Sequence, residues 1–304
     1  MAVNLSSIKD LLLPGLRGIE GKYEMIPSQY DKMFTKHDSK LALERTAELR
    51  FLGFAQLKTE GGQTAFDNAA GERYVYNQEH KEIGLGYAIT RKAIDDNVYK
   101  TQFHPANLGL IESFQQTKEI YGANIINNAQ TYDATVGGDG VALCSPSHPI
   151  DGGTISNTPS IQADLNEATL LNGMIAIRTN FRDQAGLKVF ARGRKLAVPP
   201  GLEPVAIRLL KTELRPGTSD NDVNAILTTA GGLPEGYMVN DFFTSSVAWF
   251  LLTNIDGLSY MERVKFETDM QVDFVTDNLL VKGYERYSFS YYNWRSIYGS
   301  FPTS

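Results

Sequence analysis

The stretch of this sequence with the clearest chemical potential is residues 139–157, DGVALCSPSHPIDGGTISN. It holds the only cysteine, Cys144, and places His148 four positions later. A nucleophilic thiolate needs a base and a polarising environment. A zinc site needs about four ligands of Cys, His or carboxylate type. Only His104 and scattered acids are at hand to complete such a set, and nothing in their spacing makes them converge. The plainer reading is a packed thiol and a hydrogen-bonding imidazole in a structural loop, with no catalytic, cofactor-binding or metal residue.

Other candidates fail on spacing. SDNDVNAILTTAGG, from Ser219, puts Asp220, Asp222 and Asn224 at the first three ligand positions of a calcium loop. The sixth position then holds Ala225 where Gly is needed, and the twelfth holds Gly231 where Glu is needed, which leaves a polar turn. Asp95 and Asp96 are adjacent, so they point in different directions and make a poor acid–base pair. The basic cluster Arg192, Arg194 and Lys195 reads as a solvated turn or an intersubunit ion pair. Nucleophile-elbow, phosphate-loop and zinc-protease signatures are absent.

Composition narrows the class. The 304 residues carry a net charge of −6 without a block of like charges, which argues against a dedicated nucleic-acid binder. One cysteine excludes an internal disulfide. The apolar run Leu11, Leu12, Leu13 lies between Asp10 and Pro14 and is too short for a signal peptide or a membrane span, so the chain is expected to be soluble and intracellular where it is made.

The elements that must position these residues can be read from periodicity. Residues 1–50 read as a loosely attached arm. Residues 51–90 read as a long two-stranded excursion with a polar tip, on the Gly61–Gly62 break and the alternation of Ile83, Leu85, Tyr87 and Ile89. Ile111, Phe114, Tyr121 and Ile125 are spaced for a helix over 107–129. A loop rich in Gly, Ser, Asn and Pro follows, then a helix over about 164–182. LKVFA and KLAVP read as short strands, PVAIRLLKT as a helix, 212–236 as a polar stretch and SVAWFLLTN as a strand. In the tail, Val264, Phe266, Met270, Val272 and Phe274 alternate with polar residues, as do Tyr287, Phe289 and Tyr291, which marks half-buried antiparallel strands. The class is α+β.

This order of arm, hairpin, long helix, inserted unit and returning strands resembles the Hong Kong 97-type fold of tailed-phage major capsid proteins. ITRKAIDDNVY, DGVALCSPSHPIDGGTISN, DQAGLKVFARGRKLAVPPGLEPVAIRLL and YYNWRSIYGS look, in that order, like segments of the Mu-like major head subunits. The resemblance implies an N-terminal arm (1–50), an extended hairpin or E-loop (51–90), a peripheral domain (91–164) with its spine helix at 107–129, an axial domain (165–262) and returning peripheral strands (263–304). It implies a subunit that self-assembles into the pentamers and hexamers of an icosahedral shell around packaged double-stranded DNA. The implied place is the virion, with the host cytoplasm during assembly.

The implied partners are other copies of the chain, a portal, a decoration or cement protein and a scaffolding protein. The last is expected to be separate, because an arm of about fifty residues leaves no room for a sizeable scaffolding segment. No cofactor is implied. An encapsulin-type compartment and a Cys144/His148 enzyme are the alternatives. Candidate intersubunit contacts are Leu11, Leu12, Leu13, Phe66, Tyr74 and Tyr76, all expected to be exposed in an isolated chain. Ser219, Asp220, Asn221 and Asp222 are the candidate axis-facing loop. Removal of residues 60–80 is expected to leave a folded subunit that cannot close a shell.

Overall fold

The structure, a computed structural model, describes residues 18, 21–23, 27–96, 99–212, 224, 226 and 232–303. Leu11 to Leu13 and Ser219 to Asp222 lie outside these residues.

The body is built on the two longest strands, β10 (Leu258–Val272) and β11 (Leu279–Tyr291), which pair antiparallel. The alternation in the tail produces this hairpin: Phe266 and Met270 turn inward on β10, Leu279 and Val281 on β11. Phe274 departs from the expected alternation. Strand β10 ends at Val272, and Asp273 closes a turn by accepting from the Thr276 hydroxyl and the Val275 amide, which leaves Phe274 fully outside. Two further strands complete the sheet in the order β1–β10–β11–β4, where β1 is Thr35–Asp38, parallel to β10, and β4 is Lys81–Ile89.

A helix spanning Tyr99–Asn127 (α2, after the short α1 at Arg91–Asp95) lies on this sheet. Its buried stripe runs through Phe103, Asn107, Ile111, Phe114 and Lys118, steps of three and four that keep one face inward, with Leu110 buried beside it. The helix begins eight residues before the expected start because it continues through Pro105, whose missing N–H costs one bond in an otherwise intact first half. Tyr121 is half exposed, and the polar residues Lys118 and Glu119 take the inward positions instead.

Lys118 is the reason a charge can sit there. Its ammonium lies 2.6 Å from Glu285 on β11 and faces the rings of Tyr23, Tyr260 and Tyr287 at 4.8, 5.8 and 4.9 Å. Tyr23 also donates to Glu285 and stacks on Phe266. Burial pushes the Glu285 carboxyl above its ordinary range, and Lys118 and Tyr23 pull against that shift. Glu119 receives the backbone amides of Gln29 and Tyr30. The segment entering β1 is thus bonded to α2.

A second sheet, ordered β12–β9–β7–β8, comprises Ile297–Ser300, Trp249–Thr253, Gly193–Val198 and Tyr237–Val239. Helices α3 (Glu167–Asn180) and α4 (Glu203–Lys211) accompany it. LKVFA forms no strand; a single bridge joins Lys188 to Arg182. The chain's end also departs from expectation. Residues 297–300 leave the tail hairpin and pair with β9, so the last strand belongs to the second sheet.

The hairpin is displaced in sequence too. Its limbs are β2 (Leu43–Arg50) and β3 (Gly71–Glu79), paired antiparallel, whereas 81–89 joins the body sheet. The arm therefore ends before β1, and residues 35–50 are integral structure. Residues 51–70 form the connecting tip without regular strands, with Gly61 at φ +74° in its turn.

Because Lys118 and Glu285 are both nearly inaccessible, removal of one strands the other. Lys118→Met is expected to lower the unfolding free energy by about 3–5 kcal/mol, and Lys118→Met with Glu285→Leu to recover most of that loss. Urea titration of the unassembled chain measures both. Equal losses for single and double variants would contradict this account of the pair.

Candidate functional site

The loop at 139–157 is locked to the chain's end by one side chain. Asn157, fully buried, offers its amide group to the carbonyls of Leu143, Trp294 and Ile297 at 2.8, 3.2 and 3.1 Å. Its oxygen accepts the Ser145 amide at 2.8 Å and faces His148 Nε2 at 3.2 Å. The other ring nitrogen, Nδ1, meets the Asp139 carboxylate at 2.6 Å, and the imidazole stacks on Trp294 with centroids 4.1 Å apart. Both ring nitrogens are therefore engaged inside the loop, one by a carboxylate and one by an amide oxygen. The Asp139 carboxylate is itself almost inaccessible.

Cys144 takes no part in this network. It packs beside Gly299, and burial pushes its thiol far above the ordinary range, the opposite of what a nucleophile needs. A catalytic pairing of Cys144 with His148 finds no support here: burial disfavours the thiolate, and the imidazole is engaged at both nitrogens by other partners. Among the described residues, no group of three or more His, Cys, Asp and Glu is placed to hold a metal ion.

The surfaces without an internal partner lie elsewhere. On the hairpin tip, Phe51, Leu52, Phe54, Leu57 and Phe66 are all exposed, Phe66 at 86% and Leu57 completely. The tip is nevertheless shaped. Asp67 accepts the amides of Gly53 and Ala69 and pairs with Arg50, and these bonds hold its carboxyl below the usual range. Arg50 and Arg73 meet on Asp151, between β5 (His148–Ile150) and β6 (Gly153–Ile155). Contiguous exposed apolar side chains of this kind normally mark a binding surface.

Phe66 lies where the sequence placed it, in the open. Tyr76 does not: it is 2% exposed, with its ring edge-on to Tyr291. Gly138 stands against that ring so closely that a Cβ would lie 2.2 Å from it, and its φ of +87° also requires glycine. Gly138 donates to the Val75 carbonyl and Asn77 to that of Val136, so the loop covers the outer edge of β3. Tyr74 is half-buried against the core. The alternation of the limb hid this, because the face that turns inward near the base turns outward near the tip. Phe51, Leu52, Phe54 and Leu57 escaped the sequence reading because they follow no helical or strand period.

A two-sheet body with a long helix laid on one sheet and a clasped hairpin has the Hong Kong 97-type fold. Solved structures of that architecture superpose on it. The procapsid of bacteriophage JBD30 aligns over 99% of this chain and 77% of its own, with a TM-score of 0.52 and 14% identity. Microbacterium phage Oxtober96 aligns over 90% of each chain, with a TM-score of 0.54 and 12% identity. A virus-like particle from Pyrococcus furiosus aligns over 95% of this chain and 98% of its own, at 0.53 and 9%. Residues 78–300 match the family model described as phage capsid protein, and the chain belongs to that family. None of the curated proteins compared with it matches.

Asn157→Ala is expected to cost on the order of 3 kcal/mol or more, since several buried backbone groups lose their only side-chain partner. A thiol reagent should label Cys144 in the native chain only at the rate of unfolding. Rapid native labelling, or an Asn157→Ala chain as stable as the parent, would overturn this description of the loop.

Proposed function

We propose that this capsid protein is the repeating subunit of a tailed-phage head. Copies assemble into hexamers and pentamers through head-to-tail contacts that close an icosahedral shell around packaged double-stranded DNA. The observation that carries this reading is the tip at 51–70: five large apolar side chains held outward on a clasped loop. Each contributes roughly 1.5–3 kcal/mol when a neighbour covers it. Many moderate interfaces of this kind sum to a stable particle.

The partners in this reading are other copies of the chain, a separate scaffolding protein during assembly, a portal, and a decoration or cement protein outside. The site of assembly is the host cytoplasm and the destination the virion. The role is structural, without catalysis. The family match favours a phage head over a compartment with protein cargo, and the cargo of purified particles distinguishes the two: DNA supports the first and protein alone the second. Within the phage capsid family, the motifs at 139–157 and 183–210 support a subunit of the Mu-like group.

Coexpressed with its scaffold, the chain should form hollow particles of one or a few sizes in electron micrographs. The deletion that isolates the tip must be shorter than 60–80, because Tyr76, Gln78 and His80 are buried in the body. Removal of residues 54–66 should leave the circular dichroism and thermal transition of the subunit intact and abolish closed particles. Normal particles from this variant, or monomer alone from the parent under every scaffold and salt condition, would overturn the proposal.

A further inference from the structure

The hairpin limb β3 passes into body strand β4 through one residue, His80, and the other limb, β2, is reached from body strand β1 through residues 39–42. Two polar side chains from this junction, Gln78 and His80, point inward two residues apart and are buried. Gln78 exchanges bonds with Ser259: its oxygen accepts the Ser259 hydroxyl at 2.6 Å, and its amide reaches the carbonyls of Ser259 and Ser288. His80 lies between two hydroxyls, with Nε2 2.8 Å from Ser39 and Nδ1 2.9 Å from Ser288.

The tautomer follows from Glu44 on β2. The Ser39 hydroxyl donates to the Glu44 carboxylate at 2.6 Å, so its oxygen is left to accept from His80 Nε2–H. Nδ1 is then the bare nitrogen and accepts from Ser288. In this arrangement the neutral ring and both hydroxyls are all satisfied. The charges around it come from every element packed there: Glu44 from β2, Arg263 from β10, and Arg286 from β11 with Glu82 of β4 at 3.9 Å. Glu44 favours a proton on the ring; the two arginines oppose it, and burial opposes it most.

We propose that His80 is an acid-released pin, which holds the base of the hairpin to the body while neutral and frees it when protonated. A second proton would turn the Nδ1 acceptor into a donor, so the Ser288 hydroxyl would have to turn its hydrogen away from the ring and lose that bond. It would also set a third cation beside Arg263 and Arg286. The sign is fixed: the pinned ring resists protonation and a released ring does not. As pH falls below the ordinary histidine value of about 6.5, the released hairpin gains a proton that the pinned one refuses, and the pin weakens. At higher pH neither form takes the proton and the pin holds fully. This inference concerns one chain and stands apart from the shell reading.

Hydrogen exchange of the unassembled full chain at pH 7.5 and pH 5.0, corrected for intrinsic rates, tests it. Amides of 43–50 and 71–79 should lose protection on the order of tenfold at the lower pH, while those of 279–291 hold theirs. In His80→Gln, which cannot titrate, that difference should vanish. The same loss in His80→Gln, or hairpin and body losing protection together, would overturn the proposal. Should that variant fail to fold, ring resonances of His80 in the parent chain decide. The proposal expects a ring still neutral where histidine in an unfolded peptide is already charged, and protonation at the unfolded-peptide value overturns it.

Discussion

A shell subunit must hold an apolar excursion away from its own core without letting it collapse back or wander. Everything else in this structure depends on how the hairpin is fixed at its base. Tyr76 is buried against Gly138 and Tyr291, Gln78 and His80 enter the body beside Ser259 and Ser288, and Arg50 and Arg73 grip Asp151. These contacts fall on three separate parts of the chain, so the limbs leave the body in a fixed direction. The side chains beyond Arg50 are then free to remain exposed. A limb without such a base would bury its aromatics locally, because nothing in the hydrophobic effect distinguishes a neighbour's surface from its own.

The polar loop that first suggested chemistry belongs to the same support. Asn157 and His148 join residues 139–157 to the Trp294–Ile297 segment, and that segment leads into the strand that completes the second sheet. The loop in turn carries Asp151 and is preceded directly by Gly138, the contacts of the hairpin base. Side chains that look catalytic by type thus spend their bonding capacity on architecture. A buried, fully bonded polar network of this kind fixes one arrangement of the segments it joins.

Much of the body was legible in the sequence because its burial follows a period. The alternation of Phe266 and Met270, the helical spacing of Ile111 and Phe114, and the apolar WFLLT run each gave an element of the right type. Boundaries failed where long-range bonds override local pattern. Residues 43–50 looked like arm because their partners, 71–79, lie across the tip. Residues 297–300 looked like a continuation of the tail because their partner is β9. Lys118 was hidden because a charge on a buried stripe is intelligible only once Glu285 and the three tyrosine rings are in place. The exposed side chains of the tip were legible in part: Phe66 stood out, whereas Phe51, Leu52, Phe54 and Leu57 have no periodic signature.

The central claim is that the tip is open in the single subunit and covered only by another copy. Phe66→Cys in a Cys144→Ala background puts one accessible thiol on that surface. The account predicts fast labelling of the free subunit and strong protection in assembled particles. Labelling at equal rates in both states would contradict it.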